Sequence, residues 1–326
     1  MLRTGEFVQA ALNRMYRIRK SVRNVVVMLL SKFDPWNGSL CTCPGKLSLN
    51  PYTGCAHGCL YCYASSYIPR FSDCRPKIGL LERLRRDVRR VEPGVLVSIA
   101  NSSDPYPPME KDLHLTRACI MILRDSGLRL QLVTKSDIVA RDIDLLRAMP
   151  CVVSITLTTT SDKLCKRLEP GAPLPERRLQ AIRLLQSHGV PVTARLDPII
   201  PGVNDSEIED LVSAVCRAGA LHITSSTYKA RPDSWKRLKE AFPEESEALY
   251  AMFEKGGWTS GCRYLPNKVR FELMQKTKEA ATESGATFST CREGFPSSVG
   301  VCCDGSHLAG KTSDIRSLPK PPSSAP

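Results

Sequence analysis

No stretch of this 326-residue chain is long and apolar enough to cross a bilayer. Residues 25–30 form a short apolar run, far below the roughly 20 residues that a spanning helix needs. The basic start, residues 1–20, lacks the apolar core of a secretory signal. Both absences point away from membrane and export, and toward the cytoplasm. No internal repeat stands out beyond an alternation of strand-like and helix-like stretches. No nucleic-acid-binding module is recognisable. Acidic residues are few beside basic ones, 33 against 46, for a formal charge of +13. That excess makes a nucleic acid or another polyanion a candidate partner. It is partly concentrated, at Arg14, Arg17, Arg19, Lys20 and Arg23, and again at Arg83, Arg85, Arg86, Arg89 and Arg90. The second group falls on a helix whose apolar stripe would be Ile78, Leu81, Leu84, Val88 and Val91, so it fits a plain solvated face equally well. The length suits one large domain with small extensions.

Cysteine, by contrast, is abundant, with 14 in the chain. In an exported protein these would read as disulfides. Without an export signal, and with several in metal-like spacings, they read as ligands in a reducing compartment. Cys119, Cys151, Cys165 and Cys216 lie in apolar or periodic stretches and read as small buried hydrophobes. Cys55-x3-Cys59-x2-Cys62 places three thiolates on one short loop. Thiolates suit iron, and a [4Fe–4S] cube takes four ligands, so three from the protein leave one iron open to a small molecule. The competing reading is a structural zinc knuckle, which wants a fourth Cys or His nearby. His57 lies inside the first spacing and is poorly placed for the same ion. A non-catalytic iron–sulfur or metal-binding protein, a cluster or electron carrier, is the alternative to an enzyme.

After the cysteine loop, strand-like runs at residues 95–100, 128–134, 151–158, 190–196 and 221–226 alternate with helical stretches at 111–126, 137–149, 175–188, 205–218 and 233–254. With a strand at about 46–50 leading into the loop, this makes about six βα units and a parallel sheet. In such barrels chemistry sits at the C-terminal ends of strands, and the cysteine loop follows the first. Residues 1–45 are expected to form a basic N-terminal extension, 46–255 the core, 256–310 a cysteine-containing extension and 311–326 a disordered tail.

The run Asn50-Pro51-Tyr52-Thr53-Gly54-Cys55-Ala56-His57-Gly58-Cys59-Leu60-Tyr61-Cys62-Tyr63-Ala64 resembles the signature of the spore photoproduct lyase-like, DNA repair photolyase-related, radical S-adenosylmethionine (SAM) proteins. The likeness continues through Ser103-Asp104-Pro105-Tyr106 to Glu110, Thr134-Lys135-Ser136 with Arg141-Asp142, Ser154-Ile155-Thr156, Glu169-Pro170-Gly171-Ala172-Pro173, and Pro198-Ile199-Ile200-Pro201-Gly202 with Asn204-Asp205. The resemblance implies an α/β fold, the partial (β/α)6 TIM-type barrel. It implies a [4Fe–4S] cluster on Cys55, Cys59 and Cys62 that cleaves SAM reductively to a 5′-deoxyadenosyl radical, and an electron donor such as a ferredoxin or flavodoxin. It places Ser103, Asp104 and Lys135 at the methionine end of SAM, Ser154 at its ribose or carboxylate, and Tyr61 beside the adenine. One departure matters. The lyases carry a hydrogen-donating cysteine three residues before the aspartate, where this chain has Asn101. The chemistry class is implied, but thymine-dimer repair is not.

Near the C-terminus, Cys302-Cys303-Asp304-Gly305-Ser306-His307 contains CDGSH and resembles the core of the CDGSH iron–sulfur proteins. The upstream Cys-x-Cys of those proteins is missing, since Ser289 stands two residues before Cys291. Cys291, Cys302, Cys303 and His307 are candidates for a second metal or cluster, with Cys41 and Cys43 able to join from the N-terminal side. The competing reading is an Asp304-Gly305 turn with inert thiols.

Overall fold

The computed structural model describes residues 28–33, 40–99, 102–295 and 300–310. The first basic cluster, Asn101 and the 311–326 tail fall outside them. One eight-stranded sheet organises the protein. Strand β1 (Ser31–Lys32) runs antiparallel to β2 (Leu47–Leu49). Every later pairing is parallel: β3 (Leu96–Ile99), β4 (Arg129–Thr134), β5 (Cys151–Thr156), β6 (Val192–Ile199), β7 (His222–Thr227) and β8 (Thr287–Thr290). Spatial order follows chain order, as right-handed βα units stepping one way require. The last strand does not pair with the first, so the α/β barrel is partial. The six expected strands are β2 to β7. A seventh parallel strand comes from within residues 256–310, which also supply the helix packed beside it.

The helices that cover the sheet are α1 (Leu80–Val88), α2 (Leu115–Asp125), α3 (Asp162–Leu168), α4 (Pro175–Ser187), α5 (Ile208–Ala218), α6 (Pro232–Ala241), α7 (Pro243–Glu254) and α8 (Asn267–Glu283). Three expected helices differ, each for a local reason. The one at 111–126 breaks at His114, φ +50°, because the Glu110 carboxylate reaches past it to accept the N–H groups of Thr116 and Arg117, at 2.9 and 3.3 Å, and so caps α2. The one at 137–149 is a 3₁₀ stretch, Asp137–Asp142, followed by a single turn, Ile143–Leu146; Ser136 Oγ accepts the N–H of Ile138, only two residues on. The one at 233–254 divides at Pro243, which has no N–H to continue α6. On α1 the expected stripe is shifted: Leu80, Leu84 and Val88 are buried, but Ile78, ahead of the helix, is 94% exposed.

The two faces of the sheet differ in chemistry. Parallel strands are covered on both sides, and alternate residues point to opposite faces. Outward, Val97, Leu132, Val153, Ala194 and Ile223 pack in the main apolar core beneath the helices. Inward, Ser98, Gln131, Ser154, Thr193 and Thr224 are polar and buried. At the base, by the N-terminal ends of the strands, residues 302–310 fill the barrel. Gln131 Nε2 donates to the Asp304 carbonyl at 2.8 Å, and Arg129 Nε to those of Ala309 and Gly310 at 2.8 Å each. Ala309 packs against Leu96 and Val152.

Candidate active site

The cysteine loop leaves β2 and is gripped from three directions. Tyr52–Thr53 pairs antiparallel with Arg75–Pro76, and the Cys55 N–H donates to the Phe71 carbonyl at 2.8 Å. Gly54, φ +78°, is required there: a Cβ would stand 2.6 Å from the carbonyl oxygens of Phe71 and Asp73. From the α3 side, Leu168 accepts the N–H of Leu60 at 2.9 Å and the Gly171 N–H donates to His57 at 2.9 Å. A Cβ on Gly171 would lie 2.2 Å from the Ala56 carbonyl oxygen, so only glycine lets the Glu169–Pro173 turn approach this closely. From α6, Arg237 donates to the carbonyls of Leu60 and Cys62 at 3.2 and 3.1 Å. Backbone groups of the loop thus have protein partners, while Cys55, Cys59 and Cys62 stay partly accessible.

These three thiols line one cleft of about 140 Å³, with His57, Ser103, Asp104 and Lys135 among its other walls. Burial, and then the Asp104 charge, push the Cys55 thiol up to about 12. Burial also raises Cys59 and Cys62, and the charges of Cys55 and Cys62 add to the shift on Cys59. Such mutual repulsion is what a shared cation would relieve, with release of protons on binding. Burial works against the charge of Lys135, but Cys59 and Glu169 overcome it and hold its pKa above the ordinary lysine value. Its Nζ lies 5.5 Å from the centre of the Tyr61 ring. The Tyr61 hydroxyl donates to Glu169, which pairs with Arg178 at 2.6 Å, both side chains buried. The donor set, three soft thiols in a partly open cleft beside the half-buried Lys135 cation, fits a cluster with an exchangeable iron and an amino-acid ligand.

Comparison with known proteins agrees. The model of the radical SAM superfamily matches residues 49–215, half of the chain. This chain belongs to the radical SAM superfamily. An uncharacterized protein of Methanocaldococcus jannaschii is 32% identical over 168 residues, 50% of this chain and 64% of that protein's length. The radical SAM Nα-GlyT isomerase of Pseudomonas phage M6 is 24% identical over 254 residues, 74% of this chain and 53% of that protein. A spore photoproduct lyase mutant solved with bound AdoMet and dinucleoside spore photoproduct is similar in fold, with a TM-score of 0.61 at 16% identity over 82% of this chain and 80% of that one. Membership of the superfamily implies a [4Fe–4S] cluster and SAM, and the likeness to the lyase is one of fold. No helix among the described residues is long and apolar enough to cross a membrane.

Within this cleft the residues singled out by sequence separate into two kinds. Ser103 and Ser154 have buried hydroxyls with no hydrogen-bond partner among the described residues, and Lys135 and Tyr61 stand together as above. Asp104 is different. Its Oδ1 accepts from the Tyr106 N–H and Thr134 Oγ1, at 2.9 and 2.8 Å, and its Oδ2 from the Lys135 N–H at 2.8 Å. His57 Nδ1 is 3.5 Å from Oδ2; burial holds that imidazole below its ordinary pKa. Asp104 therefore ties the cysteine loop to the start of the loop after β4. Glu110, Arg141 and Asp142 form a second tie, with Arg141 bonded to both carboxylates at 2.8 and 2.9 Å and the Tyr52 hydroxyl donating to Glu110. Arg237 and the Glu169–Arg178 pair escaped the sequence reading, because their partners are distant in the chain. Arg195 and Asp197 escaped it too, although a period of two in Thr193, Arg195 and Asp197 against Val192, Ala194 and Leu196 was available.

The cleft shares lining residues with a larger cavity of about 440 Å³ in the barrel interior. Arg195, paired with Asp197 at 2.7 Å, lies in its wall, as do Cys41, Cys43, Cys291 and Cys303. The expected C-terminal set is rearranged. Cys303 Sγ meets Cys43 Sγ at 3.4 Å, whereas the Cys302 N–H donates to His307 Nδ1 at 3.2 Å, and the His307 ring lies edge-on to His222. The expected turn is present as well: Gly305 has φ +72°, and Asp304 Oδ1 accepts the Ser306 N–H at 3.0 Å.

Proposed function

We propose that this chain cleaves SAM reductively with a [4Fe–4S] cluster on Cys55, Cys59 and Cys62, and directs the resulting carbon radical at a substrate in the adjoining cavity. The observation that carries this reading is a shared wall: Tyr63, Ser102, Lys135 and Thr156 line both the thiol cleft and the 440 Å³ cavity. Bound there, cluster and SAM supply one-electron bond cleavage and hydrogen abstraction. The chain's residues supply orientation. Lys135 offers a half-buried cation to the SAM carboxylate. Ser103 and Ser154 offer unsatisfied hydroxyls to its polar groups, and Tyr61, fixed through Glu169, offers a ring face to its adenine. Asp104 acts by holding His57 and the Lys135 backbone in register. A nucleic-acid substrate suits the excess of basic charge, the two arginines Arg195 and Arg292 in the cavity wall, and the dinucleoside in the lyase complex. A ferredoxin- or flavodoxin-like donor would deliver the electron.

The test is incubation of anaerobically reconstituted protein with SAM and dithionite, followed by mass spectrometry for 5′-deoxyadenosine. The product is expected from the wild type and absent from the variant with Cys55, Cys59 and Cys62 all replaced by Ala. Equal product from that variant would end the reading. Lys135→Ala is expected to weaken SAM binding roughly ten- to hundredfold, the loss of one charge-assisted contact, with iron content unchanged.

A further inference from the structure

Three cysteines outside the radical site converge inside the barrel. Cys41 and Cys43 lie on the segment that leads into β2; Cys303 lies in the segment that fills the base, 260 residues beyond Cys43. Cys43 Sγ and Cys303 Sγ are 3.4 Å apart, and the Cys43 N–H points to Cys41 Sγ at 3.5 Å. None of the three is in a disulfide. The two segments are locked together just beside the thiols. Lys46 and Asp304 form a buried ion pair, and Gln131 bridges them, accepting from Lys46 Nζ at 3.0 Å and donating to the Asp304 carbonyl at 2.8 Å.

Apolar packing does not account for this gathering. Cys119, Cys151 and Cys165 are at most 3% exposed and behave as small core residues. Cys41 and Cys43 remain partly accessible and line the interior cavity beside Lys46, Arg195 and Asp304. A simple pair of thiols does not account for it either, because Cys41 makes a third. Two thiolates on one tetrahedral metal, each at about 2.3 Å, stand roughly 3.8 Å apart. Cys43 and Cys303 would need to part only slightly to share one. Among the described residues no three donors already stand in the closed arrangement of a bound ion. That holds at Cys55, Cys59 and Cys62 as much as here, so in both places the metal must draw the thiols in.

We propose that Cys41, Cys43 and Cys303 form a second metal site in the barrel interior, one that takes a soft, thiolate-bound centre, iron–sulfur or zinc. Thiolates select these metals over hard cations, and each thiol gives up its proton on binding. Cys291, in the wall of the same cavity, is the candidate fourth ligand. The site does not depend on the chemistry assigned to the first loop.

The test starts from the full chain with Cys55, Cys59 and Cys62 replaced by Ala, which removes the first site. Iron with sulfide is offered anaerobically in one arm and zinc alone in the other. At least one arm should leave metal bound near one centre per chain after desalting, and adding Cys41→Ser, Cys43→Ser and Cys303→Ser should lower it at least tenfold. Uptake in neither arm by a folded protein overturns the proposal, as does uptake that the second set of changes leaves intact. Should the sixfold variant fail to fold, Cys43→Ser alone, with an unaltered circular dichroism spectrum, should bind the metal at least tenfold more weakly in competition with a chelator. Unchanged affinity overturns the site. A Cys43–Cys303 disulfide in protein prepared under reductant overturns it too.

Discussion

The mouth and the base of the barrel gather their thiols in different ways. At the mouth, Cys55, Cys59 and Cys62 share one loop, so covalent connection alone keeps them together, and the surrounding ties through Gly171, Arg237 and Asp104 only aim them. At the base, Cys43 and Cys303 come from segments 260 residues apart, and nothing but the assembled sheet brings them into contact. One group survives local disorder and depends on orientation. The other exists only when the tertiary structure is complete.

The largest test of this contrast is to break one buried ion pair at each end. Arg178→Met strands the Glu169 carboxylate at the mouth, and Lys46→Met strands Asp304 at the base. Each is expected to cost about 3–5 kcal/mol in urea unfolding, because an uncompensated charge is left behind. Only the mouth variant should also lose iron at the first loop. Equal iron loss in both would show that the two ends are one unit. The mouth pair also has a pH signature. Burial opposes the Glu169 charge, but Arg178 and Lys135 overcome it and hold its pKa below the ordinary glutamate value. Its contribution is therefore complete above the unfolded-state value, about 4.3, and is lost as pH falls through the folded-state value. The stability gap between wild type and Glu169→Gln should stay constant from neutral pH down to about 5 and narrow only in stronger acid.

Next come two glycines. A methyl at Gly171 meets backbone at 2.2 Å, and one at Gly305, φ +72°, meets Thr193 Cγ2 at 2.6 Å. Alanine at either should cost about 1–3 kcal/mol from overpacking and strain. Gly171→Ala should lower iron at the first loop, whereas Gly305→Ala should leave it intact and perturb the contact of Cys43 with Cys303, read by thiol-alkylation rates. The smallest effect belongs to Arg237→Ala. Its side chain is about one-third exposed, so stability should fall by only about 1 kcal/mol, with faster amide exchange confined to the cysteine loop.

How much of this was legible follows from distance along the chain. The Cys-x3-Cys-x2-Cys loop and the strand-helix alternation are local, and both were readable. The roles of Asp104 and Glu110 were not. Their residues could be named from the motif, but one clamps two loops and the other caps α2 across a break at His114, and each role depends on partners brought by folding. The meeting of Cys43 with Cys303 had only a faint local trace, a Cys-x-Cys and a lone CDGSH. The inward row Thr193, Arg195 and Asp197 alternates as a half-buried strand should, yet it faces an enclosed interior rather than solvent.

The segment that fills the base has a consequence for how the protein comes to be. Residues 302–310 leave the ribosome after every strand of the sheet, and they carry Asp304, the buried partner of Lys46. Without them, Lys46 would lose its carboxylate partner and Gln131 the carbonyl it donates to. The three cysteines of the loop, by contrast, are already neighbours in the chain before any of this folds. The interior thiols can meet only once that segment has entered the barrel, so that their contact serves as a mark of a filled base.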